Sequence, residues 1–303
     1  MTDQGTDEEK IIKKAIRYHE RKDYGAAMEL FKQCENNATA QYYIGRQHYY
    51  SEGVEQSYDE AFRWMVLAAE GGHARAQNHL AWMYYDGEGV EQSYEKAFEW
   101  AGRSADQDSR YGLGTLGFLY EYGKGVEQSY EKAFGYLTRA AEKGNAFAQY
   151  HLAELYEYGN GVDRSEPTAV VWYDKAAKGG FDGAYFRIGI IYYYGEDVEK
   201  SYSKAAKYFK MDAKRGHARS MLLLSFMYLD GEGVRKDRDK SFEYGLKAAE
   251  AGDDDAQFMI GKLYLEGGYF ERSLEKAREW LTRSAEQGNG EAKELLAKLE
   301  RYR

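Results

Sequence analysis

The sequence contains one cysteine, Cys34, and one proline, Pro167, among its 303 residues. A single cysteine excludes an internal disulfide and suits a reducing compartment. The scarcity of proline favours long helices, because proline removes a backbone N–H and breaks a helix interior. No proline-rich linker marks a domain boundary.

Long apolar runs are also missing, and no stretch of about 18 consecutive apolar residues could cross a bilayer. The acidic, polar segment 1–10 lacks the basic and apolar regions of a secretory signal. The formal net charge is −9, which argues against a nucleic-acid backbone or an anionic membrane as the main partner. We therefore expect a cytoplasmic protein with no nucleic-acid partner and no membrane insertion.

Motifs that would indicate catalysis or cofactor binding are absent from the sequence. The six histidines form no His-Glu-x-x-His pair and no other spacing typical of a metal site. Residues 112–117 match G-x-G-x-x-G, but no strand pattern precedes them, so we interpret them as helix. Two histidines at a shared turn position, His73 and His217, are interpreted as solvated connectors. We expect no catalytic residue, no metal site and no cofactor.

One sequence motif recurs along the chain. Gly-Val-Glu-Gln-Ser-Tyr begins at Gly53 and recurs at Gly89 and Gly125, at a spacing of 36 residues. Weaker copies begin at residues 161, 197 and 233. A fixed period of this length is typical of stacked helical repeats, in which each unit buries its apolar face against its neighbours.

Residues 73–108 illustrate one repeat. Apolar spacing predicts a first helix over 74–86, and Ser93 is a suitable N-cap for a second helix. The glycines between them allow the positive φ that helix ends need, and Val90 can fill the gap between the helices. The next first helix contains three glycines, and Asp108 replaces the turn glycine before it, so we expect local irregularity over 108–117.

Small and aromatic residues recur in fixed columns that resemble the Sel-one-like repeat family, a relative of the tetratricopeptide repeat. In one unit the family pattern reads Ala74-Arg75-Ala76-Gln77, Leu80, Tyr84, Gly87, Gly89-Val90, then Ala97, Trp100 and Ala105. The resemblance implies an all-α fold, a right-handed superhelix (solenoid) of stacked antiparallel helix pairs. We expect a tetratricopeptide-like cap over 1–36, seven repeats over 37–288 and a capping helix over 289–303, in one continuous solenoid.

The resemblance further implies that the first helix of each unit lines a concave groove. The groove positions hold Tyr42, Arg46, Tyr49, Arg75, Asn78, Trp82, Tyr85, Tyr111, Phe118, Tyr150, Phe186, Tyr193 and Phe226. A solvated wall should be polar, whereas exposed aromatic patches mark binding surfaces. We predict a non-catalytic scaffold that binds a peptide or protein segment on this face. Burial of the rings against adjacent helices is the alternative.

Two other functions are alternatives to a binding scaffold. Cysteine-rich members of the family are associated with penicillin binding and weak β-lactamase activity, but they carry paired cysteines that this chain lacks. End-to-end self-assembly is the second alternative. The polar final helix argues against open-ended growth, so we expect a monomer or weak self-association.

Overall fold

The computed structural model describes residues 3–267 and 271–301, which form seventeen helices and no strand. The helices form two compact units, one up to residue 164 and one from residue 165. The first contains α1 (Asp3–Glu20), α2 (Tyr24–Lys32), α3 (Ala38–Tyr50), α4 (Tyr58–Glu70), α5 (Ala74–Asp86), α6 (Tyr94–Asp106), α7 (Arg110–Tyr122), α8 (Tyr130–Glu142) and α9 (Ala146–Tyr158). The second contains α10 (Glu166–Lys178), α11 (Ala184–Tyr194), α12 (Tyr202–Ala213), α13 (Ala218–Asp230), α14 (Arg238–Glu250), α15 (Asp254–Glu266), α16 (Leu274–Glu286) and α17 (Gly290–Arg301).

Within each unit, consecutive helices pack against one another as pairs. This confirms the predicted all-α fold of stacked helix pairs. The outer ends of the two expected caps, residues 1–2 and 302–303, lie outside the described residues, as do residues 268–270 of the seventh repeat.

The repeated phrase forms the joint between the two helices of a pair. Gly87 ends α5 with a φ of 76°, and the Ser93 side chain accepts a hydrogen bond from the backbone N–H of Lys96. Both features match the prediction. The side-chain amide of Gln92 donates to the Tyr85 carbonyl at 2.7 Å, so the loop folds back on the end of α5. Each joint thus satisfies backbone groups that a helix end leaves free.

Glycine is required in this joint because the loop touches the preceding repeat. A Cβ atom on Gly89 would lie 2.3 Å from the Tyr58 carbonyl oxygen, and one on Gly125 would lie 2.0 Å from that of Tyr94. Both glycines also have positive φ, at 68° and 69°. Any side chain here would strain the loop and push neighbouring repeats apart.

The core consists of columns of small residues beside aromatic pairs. Tyr120 stacks on Tyr136 with ring centroids 5.7 Å apart, and the equivalent Tyr228 and Tyr244 are 5.6 Å apart. Alanines allow the close approach of second helices to first helices. Fully buried alanines near the start of the second helices are Ala61, Ala97, Ala133, Ala169, Ala205 and Ala277.

The expected irregularity around residues 108–117 is wrong, because α7 is a continuous helix of 13 residues. Its glycines are needed for packing. A Cβ on Gly112 would lie 2.5 Å from the Ala105 backbone nitrogen, and one on Gly117 would lie 2.7 Å from Leu137 Cγ. Close contact with α6 and α8 therefore outweighs the low helix propensity of glycine.

His73 and His217 lie in connectors, as predicted, but both make specific contacts that a merely solvated ring would lack. His73 is half-buried and caps α5, since its Nδ1 accepts a hydrogen bond from the Ala76 backbone N–H at 3.1 Å. Burial lowers the pKa of His73 to about 4. The His217 Nδ1 lies 2.7 Å from a carboxylate oxygen of the buried Asp212. Each ring fixes the start of a helix.

Candidate binding surface

The thirteen predicted groove residues all lie on first helices, and each is partly or substantially exposed. In the first unit, first helices approach one another directly: α5 packs on α7, and α7 packs on α9. No comparable packing joins α4 to α6 or α6 to α8, all of which the structure describes. The first helices α5, α7 and α9 therefore form one face of the first unit, which we call the inner side.

Three of the predicted residues meet at the centre of this inner side. The ring of Trp82 lies 5.3 Å from that of Tyr85 and 5.5 Å from that of Phe118, measured between centroids. Phe147 closes the group at 5.7 Å from Trp82 and 5.5 Å from Phe118. We call Trp82, Tyr85, Phe118 and Phe147 the aromatic cluster. Edge-on and tilted contacts of this kind add about 0.5–1.5 kcal/mol per pair beyond burial, so the cluster is pre-organised.

Polar contacts anchor the predicted residues on α3. Tyr49 donates a short hydrogen bond from its hydroxyl to Glu88, and the Arg46 guanidinium donates to Glu52 at 2.9 Å. The Tyr42 ring stacks on His73, with centroids 4.6 Å apart. Burial raises the pKa of Tyr42 to about 12, so its phenol stays neutral. These side chains are held in place by residues of their own or the next repeat.

Three further predicted residues, Arg75, Asn78 and Tyr111, take part in contacts that link α5 to α7. The Arg75 guanidinium lies over the Tyr111 ring, 5.2 Å from its centroid. The Thr115 hydroxyl donates a hydrogen bond of 2.8 Å to the side-chain oxygen of Asn78. Both pairs join first helices of adjacent repeats, so they fix the spacing of the inner side.

A charged group lies next to the aromatic cluster. The His151 Nδ1 is 3.1 Å from a carboxylate oxygen of Glu121 and 3.1 Å from one of Glu154. Burial disfavours the charged imidazole, but the two carboxylates outweigh burial and raise the pKa of His151 to about 9. Burial and the charge of Glu121 raise the pKa of Tyr122 as well.

Phe147 and Phe118 cover the His151 imidazole at centroid distances of 4.5 and 5.2 Å. The predicted Tyr150 contacts the same ring at 5.6 Å.

The second unit contains the other three predicted residues. Phe186 packs against His217 at a centroid distance of 5.0 Å. Tyr193 donates a 3.0 Å hydrogen bond to Glu232. Phe226, which is 42% exposed, lines a cavity of about 370 Å³ between α13 and α15 together with Arg219, Leu222 and Phe258. A cavity of this size accommodates a large apolar side chain.

The sequence-based prediction missed the exposed rings at the ends of the first helices, among which Tyr158 on α9 is 55% exposed. Tyr50 is 54% exposed at the end of α3, and Tyr122 is 46% exposed at the end of α7. Tyr122 contacts the aromatic cluster through Phe118 at 4.8 Å. The available signal was the recurrence of tyrosine at the last position of the first helix, in Tyr50, Tyr122, Tyr158 and Tyr194.

Sequential helix pairs with glycine joints define a tetratricopeptide-like repeat solenoid. The chain belongs to the Sel1 repeat family, since the family profile matches residues 38–73, 74–109, 108–145, 146–181, 183–217, 218–253 and 254–289. Sel1 repeat proteins generally act as protein-interaction scaffolds. In the described residues, no helix combines the length and apolar character needed to span a bilayer.

Solved structures of Sel1 repeat proteins are similar to this chain. One is c5321, a protective antigen of uropathogenic Escherichia coli strains with an SLR fold, at 29% identity and a TM-score of 0.73. The match covers 98% of this chain and 66% of c5321, so the chain spans just under two thirds of that protein. A Sel1 repeat protein of Oxalobacter formigenes matches at 28% identity and a TM-score of 0.71, over 90% of this chain and 80% of that one. No match was found among curated protein sequences.

Proposed function

We propose that this chain is a non-catalytic scaffold that binds a peptide or protein segment on the inner side of its first unit. The observation that carries the proposal is the exposure of aromatic rings on the first helices: Tyr122 contacts the pre-organised aromatic cluster through Phe118, and Tyr50 at the end of α3 contacts His79 on α5. Large rings at a surface favour removal from water by a partner, and aromatic anchors dominate binding energy at interfaces. The formal charge of −9 favours a protein partner over nucleic acid, and the lone cysteine suits the cytoplasm.

Rigidity supports the same proposal. The rings of the aromatic cluster contact one another, and Tyr49 and Arg46 are hydrogen-bonded to carboxylates. Side chains already held in place lose little conformational entropy when a ligand binds. An extended or helical segment with apolar anchors is the ligand type that such a groove suits.

The test is a selection of random peptides displayed on phage against the intact chain. Affinities of the selected peptides are then measured on Tyr122→Ala and Leu67→Ala. Tyr122 and Leu67 are both 46% exposed, but Leu67 lies on the second helix α4. We expect Tyr122→Ala to weaken binding at least about tenfold, or 1.4 kcal/mol, and Leu67→Ala to leave it unchanged.

Two outcomes contradict the proposal. The first is that selection yields no binder. The second is that the selected peptides bind equally well to Tyr122→Ala while losing affinity for Leu67→Ala. Circular dichroism on both variants verifies that the helices remain intact.

A further inference from the structure

Three donor atoms from two neighbouring repeats converge beside the aromatic cluster. They are the Nδ1 of His151, an Oε2 of Glu121 and an Oε2 of Glu154, and all lie within 4.8 Å of one another. Glu121 is on α7, whereas the other two residues are one turn apart on α9. Glu121 and His151 are 6% and 7% exposed.

These contacts have ion-pair distances without hydrogen-bond geometry. Neither carboxylate oxygen nor the Nδ1 has a hydrogen-bond partner of acceptable angle, although both oxygens are 3.1 Å from the nitrogen. One Nδ1 carries at most one proton, so it cannot donate to both oxygens. Buried oxygens of this kind require either a well-aligned donor or a cation.

The two separations between the His151 Nδ1 and the carboxylate oxygens are those of neighbouring ligands on one metal ion. Two ligands each about 2.1 Å from a metal lie about 3.0 Å apart in octahedral and about 3.4 Å apart in tetrahedral coordination. The observed separations of 3.1 Å fall in this interval. One imidazole and two carboxylates form a ligand set that suits zinc-like transition metals, whereas Mg²⁺ and Ca²⁺ prefer oxygen ligands alone.

We propose that Glu121, His151 and Glu154 bind one divalent transition-metal ion of the zinc class. The ion would join α7 to α9 and so fix the spacing of the third and fourth repeats. The Glu154 side chain is 19% exposed and provides the route of entry. Three protein ligands leave a coordination position for water. This inference does not depend on the proposed function.

An acidic cluster in the second unit provides a matched control. Asp253, Asp254 and Asp255 also bring three donor atoms within 4.8 Å of one another. These carboxylates have hydrogen-bond donors within the protein. Arg219 donates to Asp255 at 2.6 Å, and Asp253 caps α15 by accepting from the Ala256 backbone N–H at 2.9 Å. It has no imidazole, so it should not select transition metals.

The test is calorimetric titration of chelator-treated chain with ZnCl₂, followed by CoCl₂ titration monitored by visible absorption. We expect one Zn²⁺ per chain, cobalt bands in the visible region and a higher melting temperature with metal. Glu121→Gln and His151→Gln should each weaken binding at least about tenfold, whereas Asp255→Asn should not.

The inference is overturned if the unmodified chain takes up no Zn²⁺ at millimolar metal. It is also overturned if Glu121→Gln and His151→Gln bind as tightly as the unmodified chain, or if only Asp255→Asn loses the metal. Because a buried substitution can unfold a repeat, Glu154→Gln, at the more exposed ligand, serves as a second variant. Retained folding with an unchanged affinity in that variant counts against the site.

Discussion

Tyr193 donates a hydrogen bond from its hydroxyl to a carboxylate oxygen of Glu232 across 3.0 Å. Tyr193 lies near the end of α11, and Glu232 lies in the loop that follows α13, in the next repeat. Tyr49 and Glu88 form the same bond in the first unit. Burial and this contact raise the pKa of Tyr193 to about 12. The bond therefore ties α11, like α3 in the first unit, to the loop of the next repeat over the whole physiological pH range.

Removing that hydroxyl should destabilise the second unit. We expect Tyr193→Phe to lower the free energy of unfolding by about 1 to 2 kcal/mol, because the lost bond involves a charged acceptor. Urea unfolding monitored by circular dichroism measures the change. Tyr194→Phe is the control, since Tyr194 is 63% exposed and its substitution should change stability by less than about 0.5 kcal/mol. Equal effects of the two substitutions would show that the inter-repeat bond contributes nothing.

Substitution of glycine by alanine should lower stability in the joint between two helices and raise it at an exposed position within a helix. Gly125→Ala should destabilise the first unit by at least about 2 kcal/mol, because the new Cβ meets the Tyr94 carbonyl and φ is 69°. Gly135→Ala should stabilise it by about 0.5–1 kcal/mol, since Gly135 is an exposed residue of α8 with open space around its Cα. Thermal and urea melts of both variants test this. A tolerated Gly125→Ala would mean that the loop does not need its close approach.

His79 should make stability depend on acidic pH. Burial, assisted by the charge of Arg46, lowers the pKa of His79 to about 4. Its unfolded value is about 6.5, so the unfolded chain binds a proton between these values that the folded chain rejects. The contribution of neutral His79 to the free energy of unfolding is therefore complete above about pH 6.5. It is lost as the pH falls through 4.

The measurement compares unfolding free energies of the unmodified chain and His79→Gln from pH 7.5 to 4. We expect the variant to gain relative stability as pH falls, by about 1 to 3 kcal/mol. Only the pH dependence of the difference matters, so a constant cost of the substitution does not interfere. Parallel curves for the two proteins would contradict the neutral state of the half-buried His79.

The repeat register predicted the helices well because each joint uses local chemistry. Ser93 caps α6, Gly87 ends α5, and α5 covers residues 74–86 as expected. These features depend on residues close in sequence, so one repeat contains enough information. The prediction over 108–117 was wrong because it used local helix propensity alone. Contacts of Gly112 and Gly117 with adjacent helices decide the conformation there.

Contacts between repeats could not be read from the sequence. The repeat period and the position of each residue on its helix predict that Trp82 and Phe118 share the inner side. They do not give the distance between α5 and α7. That distance decides which rings meet and brings Glu121 to His151, thirty positions away. The division into two units at residue 164 is equally invisible, since the repeat register continues through it.

If the inner side of the first unit binds a protein segment, that segment must cover its exposed rings. Hydroxyl-radical footprinting with mass spectrometry, with and without a peptide selected on phage, tests it most directly. We expect the peptide to protect Tyr50, Tyr85 and Tyr122 from oxidation and to leave Leu67 unchanged. Protection of Leu67 with undiminished oxidation of the three tyrosines would contradict it.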